Sequence, residues 1–474
     1  TWVDLTGGVG GLPDHTYVSR IVASSSDEGR VYATFDGHYS GDFAPYVYVS
    51  DDYGNRWRSI TDGLPRTSVN VLSEHPDQPN LLFLGNEVGV WVSLDGGELW
   101  RPLMNGLPTV PVDDIRFPPA AHDLLIGTHG RGIWVLDDIA PLEQLASGSI
   151  LADTPYLFRG GQTVQWRRRS IQEWTASGEF RLPNPQVGAR LRYWIPEGSN
   201  IAPEENQDEL ETRPRIDVSD DASDEEPQLE IKILTATGRP IRTLEGPATP
   251  GAHEVLWDFR IDPAYELDGT QEENTADSRG AARGPAVLPS VYQIQMVVGE
   301  ITMFGDLTVR QDPRIDVSRA DLAERQAALM SLYQLQGPVY HARQAVQELE
   351  NQLSEVEKFL RETADTESLG RELQRIKQEL AEVDRGLRGL LARSGGGGRA
   401  RAANISRQIE ASTTRPTEDQ LQDVERAWRD IPDLIGRLNA LILVRIPTLL
   451  RELNDETIRA DPLEHLEVPQ RRGR

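Results

Sequence analysis

Along the first third of the chain, apolar and polar residues alternate in short runs punctuated by glycine, proline and aspartate, which is the two-residue period of half-buried strands. Ser19 to Ser24 (SRIVAS), Arg30 to Phe35 (RVYATF) and Tyr46 to Ser50 (YVYVS) predict strands. The same order recurs as VNVLSE, NLLFLGN and GVWVSLD, then as Val112 to Phe117, Asp123 to His129 and Gly132 to Asp138. Near residue 149 this recurrence stops. TVQWRRR, Ala189 to Ile195, Leu229 to Gly238, IRTLEG, His253 to Arg260, Ser290 to Val298 and MFGDLTVR predict a β-sandwich over 149–316.

From Ser318 the apolar spacing changes to three and four. Val346, Leu349, Leu353, Val356 and Leu360 form one seam, and Leu369, Leu373, Ile376, Leu380, Val383, Leu387 and Leu390 a second. Two such seams joined near Ala364 predict an antiparallel helical hairpin. Ser318-x-x-Asp321 and Thr417-x-x-Gln420 have capping-box spacing, and the latter opens a third helix through Leu421, Val424, Trp428, Ile431, Ile435, Leu438 and Ile442. Pro432 and Pro447 are expected to kink it, Gly395 to Gly398 to act as a joint, and the end from Asp461 to fray.

The recurrence in the first third is a true repeat. Ser50 to Trp57 (SDDYGNRW) and Ser93 to Trp100 (SLDGGELW) both read Ser-x-Asp-x-Gly-x-x-Trp, 43 residues apart. Arg58 to Pro65 and Arg101 to Pro108 then both end in GLP, as does the stretch from Trp2 to Pro13. In such an octad the Asp (Asp52, Asp95) can cap the N–H groups of a tight turn, the Gly (Gly54, Gly97) permits positive φ, and the Trp opens the returning strand. A period of about 40 to 50 residues with several strands per unit is the mark of propeller blades. Three units do not close a ring, so an open arc and further blades upstream are expected.

The octads resemble the Asp-box, or BNR, repeat of sialidases, xyloglucanases and sortilin-like propellers. The resemblance implies that Ser50, Asp52, Gly54, Trp57, Ser93, Asp95, Gly97 and Trp100 are structural, on the outer rim. The segment LEIKILTATGRPIRTLEGPATPGAHEVLWDFR resembles the Ig-like domain of flagellar hook-capping and secreted bacterial repeat proteins. Blades at 1–148, an Ig-like sandwich at 149–316 and helices at 317–474 together resemble the C-terminal half of large bacterial sortilin-like BNR proteins, a group often called glycosyl hydrolases. The resemblance also implies a periplasmic or secreted location.

Charge narrows the partners. A formal net charge of −26 gives no basic face for nucleic acid or an anionic membrane. The stretch 197–227 contains EENQDELETRPRIDVSDDASDEE, too acidic to pack and read as a solvated loop. Lysine occurs only at Lys232, Lys358 and Lys377, so the cations are nearly all arginine. Without cysteine there are no thiolate metal sites or thiol nucleophiles, and no run of 18 apolar residues spans a bilayer.

No histidine pair has zinc-helix spacing, and no nucleophile elbow, P-loop or dinucleotide fingerprint occurs. No metal or cofactor is expected. The carboxylates open to catalysis are Glu87 in GNEVGVW, Asp113 beside Asp114, and Asp137 beside Asp138, with Arg131 in GTHGRGIW as an anion-binding candidate. Two function classes follow. One is a binding or scaffold protein with a peptide or glycan ligand on the blades and a protein partner or second copy on the helices. The other is a glycoside hydrolase whose acids lie mostly in further blades. The weak catalytic candidates favour the first.

Overall fold

A computed structural model describes residues 4–119, 122–148, 153–167, 186–198, 228–265, 283–362, 367–391, 402–453 and 463–471. The chain is mixed β and α, with small sheets first and helices last. The alternation of the first third folds into antiparallel meanders. β1 (Tyr17–Ala23), β2 (Val31–Asp36), β3 (Tyr46–Ser50) and β4 (Arg58–Ser59) form the first sheet, and β5 (Val69–Glu74), β6 (Leu82–Asn86), β7 (Gly89–Ser93) and β8 (Arg101–Pro102) the second. The third holds β9 (Val112–Arg116), β10 (Leu124–Thr128) and β11 (Ile133–Leu136). It has three described strands because Pro141 starts helix α1 (Ala140–Ala146) where the other sheets make an octad turn.

Each sheet is apolar on both faces and packs against the next. Tyr32, Val47 and Val49 of the first sheet meet Val69, Leu72, Leu82 and Leu84 of the second. Phe83, Val90 and Val92 on the second sheet's other face meet Val112, Ile115, Leu124 and Ile126 of the third. Full burial of one such side chain is worth about 1.5–3 kcal/mol, so these seams hold the stack. Gly85 is crowded on its third-sheet face: a Cβ there would lie 2.7 Å from Cγ1 of Val112 in the third sheet and of its strand partner Val71. The inner strands β1, β5 and β9 lie side by side, Ser19 Oγ donating to the Val69 carbonyl at 2.7 Å and Ser73 Oγ to that of Ile115 at 2.9 Å.

The longer runs form two sheets around one core. Their strands are β12 (Tyr156–Leu157), β13 (Gln162–Gln165), β14 (Ala189–Ile195), β15 (Gln228–Thr235), β16 (Pro240–Pro247), β17 (Gly251–Trp257), β18 (Ser290–Val298) and β19 (Ile301–Gln311). One sheet is ordered β12-β14-β17 and the other β13-β19-β18-β15-β16, with β13 parallel to β19. Leu191, Tyr193, Ile195 and Trp257 of the first face Ile231, Ile233, Ile294 and Met296 of the second. Most of the acidic stretch 197–227 lies outside the described residues.

The helical seams form α2 (Arg319–Glu362) and α3 (Glu367–Leu391), which pack with α4 (Ala402–Ala411), α5 (Glu418–Ala440) and α6 (Ile446–Leu453) around one core. Helix α4 was not expected, and the Gly395–Gly398 joint lies outside the described residues. Thr417 and Gln420 form a reciprocal capping box, and Ser318 Oγ accepts from the Asp321 N–H at 3.1 Å. Pro432 lies inside α5 without ending it. Before Pro447 the helix widens to a π turn at Leu441–Arg445, which makes room for a ring that cannot donate.

The C-terminal end corrects an expectation. Instead of fraying, residues 463–471 run along the bundle, with Leu463, Leu466 and Val468 packed on its core. Buried Asn439 gives the reason: its Nδ2 donates to the Leu466 carbonyl and its Oδ1 accepts from the Leu466 N–H, both at 2.9 Å. Such a side chain imitates a strand partner.

Arginines cross the boundaries between these parts. Arg192 of β14 pairs with Asp138 beside α1. Arg260 forks onto Glu410 of α4 at 2.8 and 3.2 Å, while Arg167 and Arg325 donate to the carbonyls of Glu410 and Ser412 at 2.6 and 2.8 Å. These cations sit at the C-terminal end of α4, where unpaired carbonyls attract them. Replacing Asn439 by Ala is expected to cost about 1–3 kcal/mol, because two backbone groups lose their partner. Limited proteolysis should then cut residues 463–471 while sparing α5.

Candidate functional site

The two octads build matching corners. Ser50 Oγ donates to Asp52 Oδ1 at 3.0 Å and accepts the Gly54 N–H at 2.9 Å, while Asp52 Oδ1 accepts the Arg56 N–H at 2.8 Å. Ser93, Asp95, Gly97 and Leu99 repeat the pattern at 2.7, 2.8 and 3.0 Å. Gly54 and Gly97 have φ of +84° and +96°, where a side chain is strained. The Arg56 N–H, with Ser50, holds the Asp52 carboxyl below the usual carboxylate range despite an opposing desolvation. The tryptophans differ. Trp100 is fully buried and donates Nε1 to the Ile60 carbonyl of the preceding sheet at 2.8 Å, whereas Trp57 is half-buried and donates to its own Gly54 carbonyl at 3.0 Å.

The carboxylates singled out from sequence are spread over the stack. Glu87 lies on the β6–β7 turn and Arg131 on the β10–β11 turn, at the end where β1, β5 and β9 begin. Asp113 is at that end too, 3.2 Å from His129 Nδ1. Asp137 follows β11 at the opposite end, with the octads. All of these side chains except half-buried Glu87 are exposed, and none lines the cleft described next.

That cleft, of about 440 Å³, runs along the inner strands and is floored by residues 20–23, 71–74 and 114–117. Asp114 is held between two guanidiniums, Arg20 Nη2 at 3.0 Å and Arg116 Nε at 2.8 Å. Glu74 is buried, and its Oε1 accepts Ser24 Oγ at 2.7 Å, the Ser25 N–H at 2.9 Å and Ser25 Oγ at 3.2 Å. Glu74 Oε2, Arg20 Nε and the nearby Tyr32 hydroxyl are buried without a hydrogen-bond partner. Burial, then the Glu74 charge, raises the Tyr32 pKa. Phe117 in the wall is packed edge-on against His75 and Phe83. Sequence reasoning had singled out only Asp114 among these groups. The signal for the others was Ser24-Ser25-Ser26 at a strand end, opposite an acid that closes VNVLSE.

Below the cleft, Glu143 of α1 ties the helix to the sheets. His75 Nε2 and His122 Nδ1 both lie 3.0 Å from its Oε1, and His75 Nδ1 accepts the Asp77 N–H, so Nε2 carries the proton toward the carboxylate. The Glu143 bond raises the His122 pKa, against a partial desolvation and with help from the charges of Asp138 and Asp123. Among the described residues no group of three or more acids and histidines could hold a metal ion, and no helix is long and apolar enough to cross a membrane.

No family model matches the chain, and no curated protein matches it. Among solved structures it is weakly similar to GH74 enzymes. An ancestral GH74 enzyme is 22% identical over 27% of this chain and 15% of that one, with a TM-score of 0.21. The Niastella koreensis GH74 enzyme is 16% identical over 38% and 27%, with a TM-score of 0.22. The GH74 xyloglucanase of Xanthomonas campestris is 15% identical over 37% and 24%, with a TM-score of 0.20. The chain thus spans 15–27% of their length, and the case for function rests on its own residues.

Two measurements probe these corners. Trp100→Ala should cost about 3–5 kcal/mol by denaturant unfolding, and Trp57→Ala clearly less, because only Trp100 fills a seam between sheets. For His122, the raised pKa means that its contribution to stability is complete below the unfolded value of about 6.5 and is lost as pH rises through the folded value. NMR titration should place His122 above that reference in the wild type and return it in Glu143→Gln.

Proposed function

We propose that this is a non-catalytic binding protein, in which the sheets are consecutive blades of an Asp-box propeller and the inner-strand cleft holds an extended peptide. Helices 317–474 would serve a protein partner, and the Asp-box residues would be structural. The observation that carries the reading is the pairing of the cleft's charges. A glycosidase needs one carboxyl to give a proton and a second to attack or to activate water. Here Asp114 is neutralised by Arg20 and Arg116, and the Glu74 oxygen with partners is filled by serine donors. Such groups orient a ligand more readily than they exchange protons with it.

Peptide is favoured over glycan by the walls. Ile21, Val22 and Pro76 are aliphatic or imino side chains suited to peptide side chains, and the lone wall aromatic, Phe117, has its ring occupied. Sugar sites of this size generally offer an open aromatic face. With a net charge of −26 the protein would draw basic peptides in preference to acidic ones. The glycoside hydrolase alternative keeps its place as the opposing outcome.

Fluorescence anisotropy with a library of labelled basic and apolar peptides tests the reading, alongside turnover assays on xyloglucan and sialosides. Binding should weaken about tenfold or more in Arg116→Ala, as expected of a residue near the centre of an interface. Folded wild-type protein that binds no peptide, or that cleaves a glycan and loses the activity in Glu74→Gln or Asp114→Asn, would overturn it.

A further inference from the structure

Where the sandwich meets the bundle, positive charge outweighs negative. Arg167 after β13, Arg260 after β17 and Arg325 of α2 converge on the C-terminal end of α4, and Arg314 after β19 donates to the Arg167 carbonyl beside them. Among the described residues two carboxylates pair with this group, and both are taken. Glu410 is held by the fork of Arg260, and its Oε1 also accepts the Ala286 N–H at 3.2 Å. Asp312 is buried under Arg314: its Oδ1 accepts the Arg314 N–H at 3.0 Å and Nε at 2.9 Å, and its Oδ2 accepts Arg314 Nη2 at 2.6 Å and the Arg167 N–H at 3.0 Å.

That leaves the guanidiniums of Arg167 and Arg325 without a carboxylate among the described residues. Each donates Nη1 to a carbonyl, and Arg325 Nε is buried with no hydrogen-bond partner. A carbonyl dipole does not neutralise a guanidinium, and arginine stays protonated, so two half-buried charges go uncompensated. Burial lowers the pKa of both; Glu410 opposes the shift, while Arg260 adds to it at Arg167 and Arg167 adds to it at Arg325. Both arginines line one small cavity of about 20 Å³, together with Thr413 and the apolar side chains of Ile315, Val317 and Leu322. It has room for one water-sized particle and not for a tetrahedral oxyanion.

The geometry points to this cavity as a binding site for a single chloride ion, held between Arg167 and Arg325. A monatomic anion fits the space, accepts several N–H donors at once and supplies the missing negative charge, whereas a water fills the space and leaves both cations unanswered. Arg167 belongs to the sandwich and Arg325 to α2, so the ion ties the two parts together beside the Arg260–Glu410 fork. The site is independent of the inner-strand cleft. With a net charge of −26 the protein as a whole repels anions, so chloride binding reports on a local cluster of this kind.

Chloride NMR line broadening on the full chain, titrated at constant ionic strength, tests this. Wild type should broaden the line saturably, and bromide should compete while sulfate should not. Arg325→Gln, with its fold checked by circular dichroism, should bind chloride about tenfold more weakly or worse, as expected for a lost hydrogen bond to a charged group. Crystals of the wild type grown in bromide should show an anomalous peak between Arg167 and Arg325, a readout that needs no variant. Wild type that does not broaden the chloride line, sulfate that competes as well as bromide, a folded Arg325→Gln that binds like wild type, or a cavity holding water alone in bromide each overturns the proposal.

Discussion

The stacking of apolar faces between successive sheets is the constraint from which the first third of the molecule follows. A meander of two- to seven-residue strands cannot seal its own faces, so each sheet depends on a neighbour. That dependence explains why Val47, Val90 and Ile133 fall at one spacing, and why Gly85 has no side chain where Val112 of the third sheet packs onto it. It also explains the octad: a corner fixed by Ser, Asp and Gly aims Trp100 into the seam, where its ring and its N–H both find partners in the preceding sheet.

Between the larger parts the cement is ionic and made almost wholly of arginine. Arg20 crosses from the first sheet to Asp114 of the third, Arg192 from the sandwich to Asp138, and Arg260 from the sandwich to Glu410. A planar guanidinium can fork onto a carboxylate and still donate to carbonyls, which lysine cannot do in that geometry. The exposed pairs are worth little in energy, about 0–1 kcal/mol each. The cluster around Glu410 is half-buried and fixes the end of α4, so it sets where the bundle sits on the sandwich.

The sequence was legible wherever a period ruled. Ala189–Ile195 and Ser290–Val298 appear in the structure with the bounds their alternation predicts, and the Thr417 capping box opens α5 where its spacing places it. What was missed is non-periodic. Helix α4 is ten residues long and, among its described side chains, buries only Ile405 and Ile409, and its C-terminal end is held by arginines distant in sequence, so its own pattern is short. The tail at 463–471 is bound by Asn439, 27 residues before Leu466, by Glu425 to Arg471 and by its own Leu463, Leu466 and Val468 on the core. Glu74 is a single acid at the end of an apolar strand, and its partners Ser24 and Ser25 lie about 50 residues away. Side-chain pairings of that range leave no trace in local composition.

The cleft shows how a repeat acquires chemistry. Arg20, Val71 and Asp114 occupy one repeat position, as do Val22, Ser73 and Arg116. In the middle sheet that position is Val71, close against the third sheet, where a charge would lose its solvation without a partner. In the first and third sheets the same position can reach over the inner edge, and there the residues are an arginine and an aspartate that meet at 3.0 Å. The shared positions therefore build the stack, and the departures from them furnish its cleft. The octads are thus the most regular feature of the sequence, whereas residues 20, 74, 114 and 116, which line or border the cleft, sit where the repeat departs from itself.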